Sequence, residues 1–280
     1  MKFTKMQGCG NDYVYINCFE QTVQNPTELA KKMSNRNFGV GSDGLILVMP
    51  SQVADCKMRM FNSDGSESEM CGNGIRCVGK FVHDKNIVKK DIITVETLAG
   101  IKTLQFFKDE NNMVLDVKVN MGEPIFKADL IPVISEEKDL VKNLKLTVLD
   151  KTFTFTCLSM GNPHAVTFVD DVDNFDVDKY GSILENHPTF PKKANIEFVQ
   201  IINKNHLKMR VFERGSGETF ACGTGTCATV VASFLNDKSD RTNVKVDLLG
   251  GTLNITWDEK DNNVYMTGPA KFVFEGEWLL

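Results

Sequence analysis

No stretch of this 280-residue chain is apolar for long enough to span a bilayer, and its first residues, MKFTKMQGCGNDYVYIN, break up with polar side chains and glycine the apolar core that a secretory signal needs. The sequence therefore reads as cytoplasmic, with no membrane partner. Basic excess is missing too: 32 Lys and Arg against 37 Asp and Glu give a formal net charge of −5, which leaves no footprint for nucleic acid. The pairs Lys89-Lys90 and Lys192-Lys193 read as solvated loops. The four histidines are scattered, and the eight cysteines (9, 18, 56, 71, 77, 157, 222 and 227) have neither the density of a secreted disulfide scaffold nor the usual spacing of zinc ligands. A dinucleotide fingerprint, a P-loop and a pyridoxal-binding lysine signature are all lacking, so no cofactor and no metal is expected.

What is present is an ordinary globular composition, 42% hydrophobic and 25% charged, over a length that suits two domains. Their organisation is written in an internal repeat. EMCGNGIRC at 69–77 and FACGTGTCA at 220–228 each place a cysteine before a glycine-rich turn, and the 151-residue offset between Cys71 and Cys222 also aligns KMRMF at 57–61 with KMRVF at 208–212. The same shift superimposes Gly10-Asn11 on Gly161-Asn162, Glu67 on Glu218, Val95 on Val246 and Gly100 on Gly251. One offset held over about ninety residues of each half indicates a duplicated domain.

Most segments are strand-like, rich in β-branched or aromatic residues: 12–18, 45–49, 56–61, 92–97 and 113–119, then 152–158, 164–169, 196–202, 207–212, 243–249 and 252–257. Helix spacing is confined to 26–36, 74–85 and 225–237, the last two opening at the cysteine turns. The expected fold is α/β, a β-rich α+β arrangement of two pseudo-symmetric domains. Each would be a curved, mostly antiparallel sheet or barrel around a central helix, with the active site in the cleft between them. The two prolines in 120–133 place the crossing there, giving residues 1–122, joined by a returning C-terminal strand at about 268–280, and residues 123–267.

A thiol at the first turn of a helix lies beside unpaired N–H groups and the positive end of the helix dipole, which favour an anion. The same N–H groups can hold a substrate carboxylate, and glycine lets that ligand approach the backbone. With a carbon acid between two such turns, one thiolate removes an α-proton while the other thiol protonates the opposite face, inverting the centre without a cofactor. Convergent N–H donors would stabilise the enediolate that forms. Plainer readings exist: zinc ligation by Cys71, Cys77, Cys222 and Cys227, or a disulfide between Cys71 and Cys222, which two facing thiols would form on oxidation. Cys77, Cys227, Cys18, Cys56 and Cys157 read as buried small hydrophobes, while Cys9 fits either description.

The motifs KMQGCGNDYVYI at 5–16, FNSDGSESEMCGNG at 61–74, MGNPHAV at 160–166 and ERGSGETFACGTGTCA at 213–228, in this order and spacing, resemble those of the diaminopimelate epimerase family over essentially the whole chain. The resemblance implies pyridoxal-independent interconversion of LL- and meso-diaminopimelate and two similar α/β halves. It implies that Cys71 and Cys222 are the catalytic base and acid, with His164 and Glu213 assisting. It further implies that Gly72, Asn73, Gly223 and Thr224 hold the reacting carboxylate, and that Asn11, Asn62, Asn162, Asn195, Glu213 and Arg214 contact the rest of the substrate. Such a set suits a zwitterion at both ends, Arg214 facing a distal carboxylate and Glu213 an ammonium. Gly44 departs from the pattern, standing where some members carry glutamine. A proline or hydroxyproline racemase also pairs two cysteines, but its first motif reads MCGHG, not MCGNG, and a cyclic imino acid has no second charged end for Glu213-Arg214. A phenazine-type isomerase shares the fold without keeping both thiols, and a non-catalytic amino-acid-binding protein has no use for either. A homodimer is compatible with the sequence, although no residue demonstrates one.

Overall fold

A computed structural model describes residues 1–279. The chain divides into two compact units, one of Met1–Asn120 with the segment from Thr267 onward, the other of Met121–Met266. The first contains β1 (Lys2–Gly8), β2 (Asn11–Asn17), α1 (Pro26–Ser34), β3 (Gly44–Met49), β4 (Cys56–Asn62), β5 (Glu67–Ser68), α2 (Gly72–Asp84), β6 (Ile92–Thr97), β7 (Gly100–Lys108) and β8 (Val114–Asn120). The second contains β9 (Val141–Val148), β10 (Lys151–Ser159), β11 (Pro163–Phe168), α3 (Val177–Glu185), β12 (Asn195–Asn203), β13 (His206–Glu213), β14 (Gly217–Thr219), α4 (Gly223–Leu235), β15 (Val244–Leu248) and β16 (Gly251–Trp257). The chain then runs through β17 (Val264–Pro269), which straddles the unit boundary, and β18 (Lys271–Glu277).

Both units are wound the same way. In the first, β1 pairs antiparallel with β18 and β2, β2 runs parallel to β3, β3 antiparallel to β4, β4 parallel to β6, and β7 and β8 follow antiparallel. In the second, β9, β10 and β11 are antiparallel neighbours, β11 runs parallel to β12, β12 antiparallel to β13, β13 parallel to β15, and β15 antiparallel to β16. Register repeats with the sequence: Tyr13 opposes Gly44 as His164 opposes Asn195, and Cys56 opposes Val95 as Leu207 opposes Val246. One hairpin breaks the rule. Gly8 opposes Asn11 across Cys9 and Gly10, whereas Ser159 opposes Pro163 across Met160, Gly161 and Asn162. The short loop has positive φ at both central residues, Cys9 at 52° and Gly10 at 81°, as a tight primed hairpin turn requires. The longer one lifts Asn162 out of the ladder.

The strands read as near-continuous apolar runs because both faces are covered. In the first unit Val14, Ile16, Leu45 and Leu47 pack outward against Leu29, Ala30 and Met33 of α1, while Tyr15 on the other face stacks on Phe81 of α2 at 6.3 Å. In the second, Phe155, Ile196 and Phe198 pack with Val177, Tyr180 and Leu184 of α3. Burying each such side chain contributes about 1.5–3 kcal/mol. The central helices are enclosed most fully: every residue of α2 from Gly72 to His83 is buried, and so is the α4 run from Gly225 to Ser233. Among the described residues no helix is long and apolar enough to cross a membrane.

The helix α3 was not expected from the sequence, because a glycine interrupts it. Gly181 is there for packing: a Cβ would lie 2.5 Å from Phe212 Cβ and 2.7 Å from its Cγ. Gly181→Ala should therefore lower stability despite better helix propensity, since overpacking at about 1–3 kcal/mol outweighs a propensity gain of about 1 kcal/mol. Urea denaturation would show a lower midpoint at unchanged slope; an equal or higher midpoint would contradict the packing account.

Candidate active site

Each central helix begins with a thiol as its cap. Cys71 is extended (φ −126°, ψ 122°) and its Sγ accepts the Gly74 N–H at 3.3 Å; Cys222 is extended (φ −116°, ψ 109°) and accepts the Gly225 N–H at 3.4 Å. Neither helix carries an acidic residue in its first turn, so no carboxylate of its own competes for the leading N–H groups. Gly72, Asn73 and Gly223 are buried and Thr224 half-buried, its hydroxyl 3.5 Å from Cys222 Sγ. The third helix position is tightly packed on both sides: a Cβ on Gly74 would meet Ile46 Cδ1 at 2.7 Å, and one on Gly225 would meet Glu197 Oε1 at 2.7 Å, so either side chain would have to shift.

Beside Cys71 lie the neutral side chains of Asn11 and Tyr13, with Asp43 behind Asn11. The thiol lies 3.3 Å from Asn11 Oδ1, while the Asn11 amide donates to Asp43 Oδ2 at 2.7 Å, which fixes the direction of the amide. Tyr13 is buried beside the thiol; burial, with Cys71 and Asp43 adding, pushes its hydroxyl well above the ordinary range. Arg76, fully buried one helical turn on, donates to the carbonyls of Gly72 at 3.1 Å and Pro269 at 3.2 Å, and its Nη2 lies 3.7 Å from Cys9 Sγ. It ties the Cys9-Gly10 turn to the helix start. Cys9 thereby has a structural place. Asn62 ends β4, where its amide donates to Ser66 Oγ at 3.0 Å within the turn that leads to Cys71.

Around Cys222 the partners are acidic. Burial pushes this thiol well above its usual range, and the charge of the Glu213 carboxylate pushes it further. Glu213 accepts the Thr219 hydroxyl. His164 is fully buried, with Nδ1 2.6 Å from Glu197 Oε1 and Nε2 3.0 Å from Asn162 Oδ1. Burial brings its pKa down to about 3, opposed by Glu213 and reinforced by Arg214, so the ring is neutral at physiological pH and acts through hydrogen bonds. Asn195 is buried and bridges two backbones, its amide donating to the Pro163 carbonyl at 2.8 Å and its carbonyl accepting the Arg214 N–H at 3.0 Å. It holds Arg214 in place, whose guanidinium reaches the Lys192 carbonyl at 3.4 Å.

Sequence reasoning passed over Glu197, Arg76 and Asp43. Only the repeat could have exposed Glu197, because the 151-residue offset sets it opposite Ile46 in an otherwise apolar strand. The remaining thiols fit the reading of buried hydrophobes with one exception: Cys56, Cys77, Cys157 and Cys227 are buried, and Cys18 is only partly so. Burial pushes Cys77 up to about 11 and Cys56 to about 12. Among the described residues no group of three or more His, Cys, Asp or Glu side chains is placed to hold a metal ion.

A family model described as diaminopimelate epimerase matches residues 3–127 and 156–273. A diaminopimelate epimerase of Acetivibrio thermocellus is 59% identical over 277 residues, covering 99% of this chain and 98% of that protein. One of Methanococcus maripaludis is 57% identical over 277 residues, covering 99% of each. Solved structures share the fold at lower identity. A PhzF-family phenazine biosynthesis protein of Bacillus anthracis superposes with a TM-score of 0.70 at 21% identity, covering 100% of this chain and 99% of that one. A hydroxyproline epimerase of Agrobacterium vitis does so with a TM-score of 0.66 at 12% identity, covering 99% and 90%.

The acidic surroundings of Cys222 have a measurable consequence. In the ligand-free protein its alkylation by iodoacetamide, followed by peptide mass spectrometry, should still be rising with pH above 9, because the thiolate reacts and burial delays its formation. Glu213→Gln should shift that profile to lower pH. A plateau below pH 8 in the unaltered protein would contradict the electrostatic assignment.

Proposed function

The chain belongs to the diaminopimelate epimerase family, and on that premise we propose that Cys71 and Cys222 are the two acid–base groups that act on opposite faces of one α-carbon. It is an isomerase that interconverts LL- and meso-2,6-diaminopimelate, an activity that serves lysine and peptidoglycan precursor synthesis. The observation that carries the residue assignment is the matched pair of caps, each sulfur accepting a glycine N–H at the start of a buried helix.

The chemistry follows from that placement. One cysteine, as thiolate, takes the α-proton; the other, as thiol, gives its proton to the opposite face. The two thus exchange protonation states with each turnover, and solvent exchange resets them. The α-proton of an amino acid is weakly acidic, so the negative charge that builds on the carboxylate needs fixed donors, which the N–H groups at Gly72-Asn73 and Gly223-Thr224 supply. Their worth is greatest where water is excluded. Glu213 takes a substrate ammonium and Arg214 a distal carboxylate, with Asn11, Asn62 and Asn162 completing the recognition and Asn195 holding Arg214. The reaction needs no cofactor. The cytoplasm is the natural compartment, since both thiols must stay reduced, and a homodimer is compatible with this reading.

Removing either acid–base group should cost about 100- to 10,000-fold in turnover. Cys71→Ser and Cys222→Ser should each show that loss with LL-diaminopimelate while keeping the native circular dichroism spectrum, and proline should not be racemised by the unaltered enzyme. Near-normal rates in either variant would end the two-thiol assignment.

A further inference from the structure

Glu197 is a fully buried carboxyl in the middle of a strand, and its Oε2 makes no hydrogen bond. An ionised carboxylate in that position would be costly, whereas a neutral acid leaves only a bare carbonyl oxygen. Burial does push this group well above the usual carboxylate range, with the charge of Glu213 adding, and the backbone amides of Glu197 and Ala165 offset only part of that.

With the ring of its neighbour neutral, the hydrogen bonds there point to the same state. Asn162 Oδ1 can only accept, so His164 Nε2, 3.0 Å away, must carry the ring hydrogen. In a neutral imidazole Nδ1 is then a bare acceptor. The atom 2.6 Å from it is Glu197 Oε1, which must be the donor. One proton on Glu197 satisfies the chain Glu197 to His164 to Asn162, and it leaves the Asn162 NH2 for a ligand.

The other half of the repeat pins its asparagine in the opposite sense. Asn11 donates its amide to Asp43 and keeps its carbonyl toward Cys71. Tyr13 occupies the place of His164 and Ile46 that of Glu197. A zwitterionic substrate needs both kinds of partner, an acceptor for its ammonium and a donor for its carboxylate.

We propose that Glu197 is a positioning residue that fixes the His164 tautomer and so turns the Asn162 amide to offer its NH2 to a substrate carboxylate. The proposal rests on Asn162 as a substrate contact, and the tests separate the two.

Nitrogen-15 NMR of the ligand-free protein, with the His164 signals assigned by their loss in His164→Gln, should show a neutral Nε2–H ring throughout pH 5 to 8, although Glu213 and Arg214 both face it. Glu197→Gln can donate an amide hydrogen to Nδ1 and should keep that tautomer and KM within about three-fold of the unaltered enzyme. Glu197→Leu cannot donate, and should give mixed tautomers and a KM for diaminopimelate raised about ten-fold or more, with kcat changed far less. An Nδ1–H or protonated ring in the unaltered protein overturns the proposal without reference to any variant or to the two-thiol assignment. So does a Gln variant with mixed tautomers, or a Leu variant that keeps both the single tautomer and the normal KM. A normal KM in Asn162→Ala would overturn the substrate contact on which the proposal rests, even with the tautomer as expected.

Discussion

A cysteine sulfur that accepts the N–H three residues further on sets the terms for each half of this chain. The contact needs an extended cysteine, a glycine in the first turn and a helix whose start faces no carboxylate of its own. Oxygen caps at this position are worth about 0.5–2 kcal/mol in stability, and sulfur is a weaker acceptor, so the contribution to folding is modest. The cap's larger effect is chemical: it holds the sulfur at the positive end of a helix that is almost wholly enclosed, where fixed N–H donors act through a low dielectric. The sheet around α2 and α4 supplies that enclosure. Its central strands are apolar on both faces because one face covers the central helix and the other an outer helix, α1 or α3.

Duplication gave the two caps their common geometry, and divergence gave them different electrostatics. At equivalent positions Tyr13 answers His164, Ile46 answers Glu197, Asn62 answers Glu213 and Arg76 answers Cys227. One thiol therefore has the neutral Asn11 and Tyr13 beside it, the other the carboxyls of Glu213 and Glu197 nearby. A one-residue difference in hairpin register adds to this: Asn11 remains in the ladder and Asn162 is raised into the loop. The two caps thus match in geometry while the side chains around each differ.

The repeat, the strand-rich winding and the helices at the cysteine turns were legible in the sequence because each is a matter of pattern: a fixed offset, alternation or 3.6-residue spacing. Six elements, α3, β1, β5, β7, β9 and β14, were not. The helix α3 hides behind Gly181, whose reason is Phe212, far away in sequence. In β1, Lys5 reads as a surface residue, yet it is buried against Asp12 and the Gly41 carbonyl. The strand β7 shows apolar residues on exposed positions, such as Ile101 and Phe107, which blurs its alternation. At the site, the cysteines and asparagines were visible in their motifs. Glu197 and Asp43 were not, because what they do depends on partners that only the parallel pairings β2 to β3 and β11 to β12 bring together.

The central claim is that two different groups serve the two faces of one α-carbon. The most direct test is to start from LL-diaminopimelate in D2O and read the α-position isotope in both isomers during the first few per cent of conversion. Two thiols predict deuterium in the meso product, delivered by the second group from solvent, while the remaining LL substrate stays protiated. Transfer of the original protium into the product, or early deuterium in unconverted substrate, would point to a single base and contradict the account.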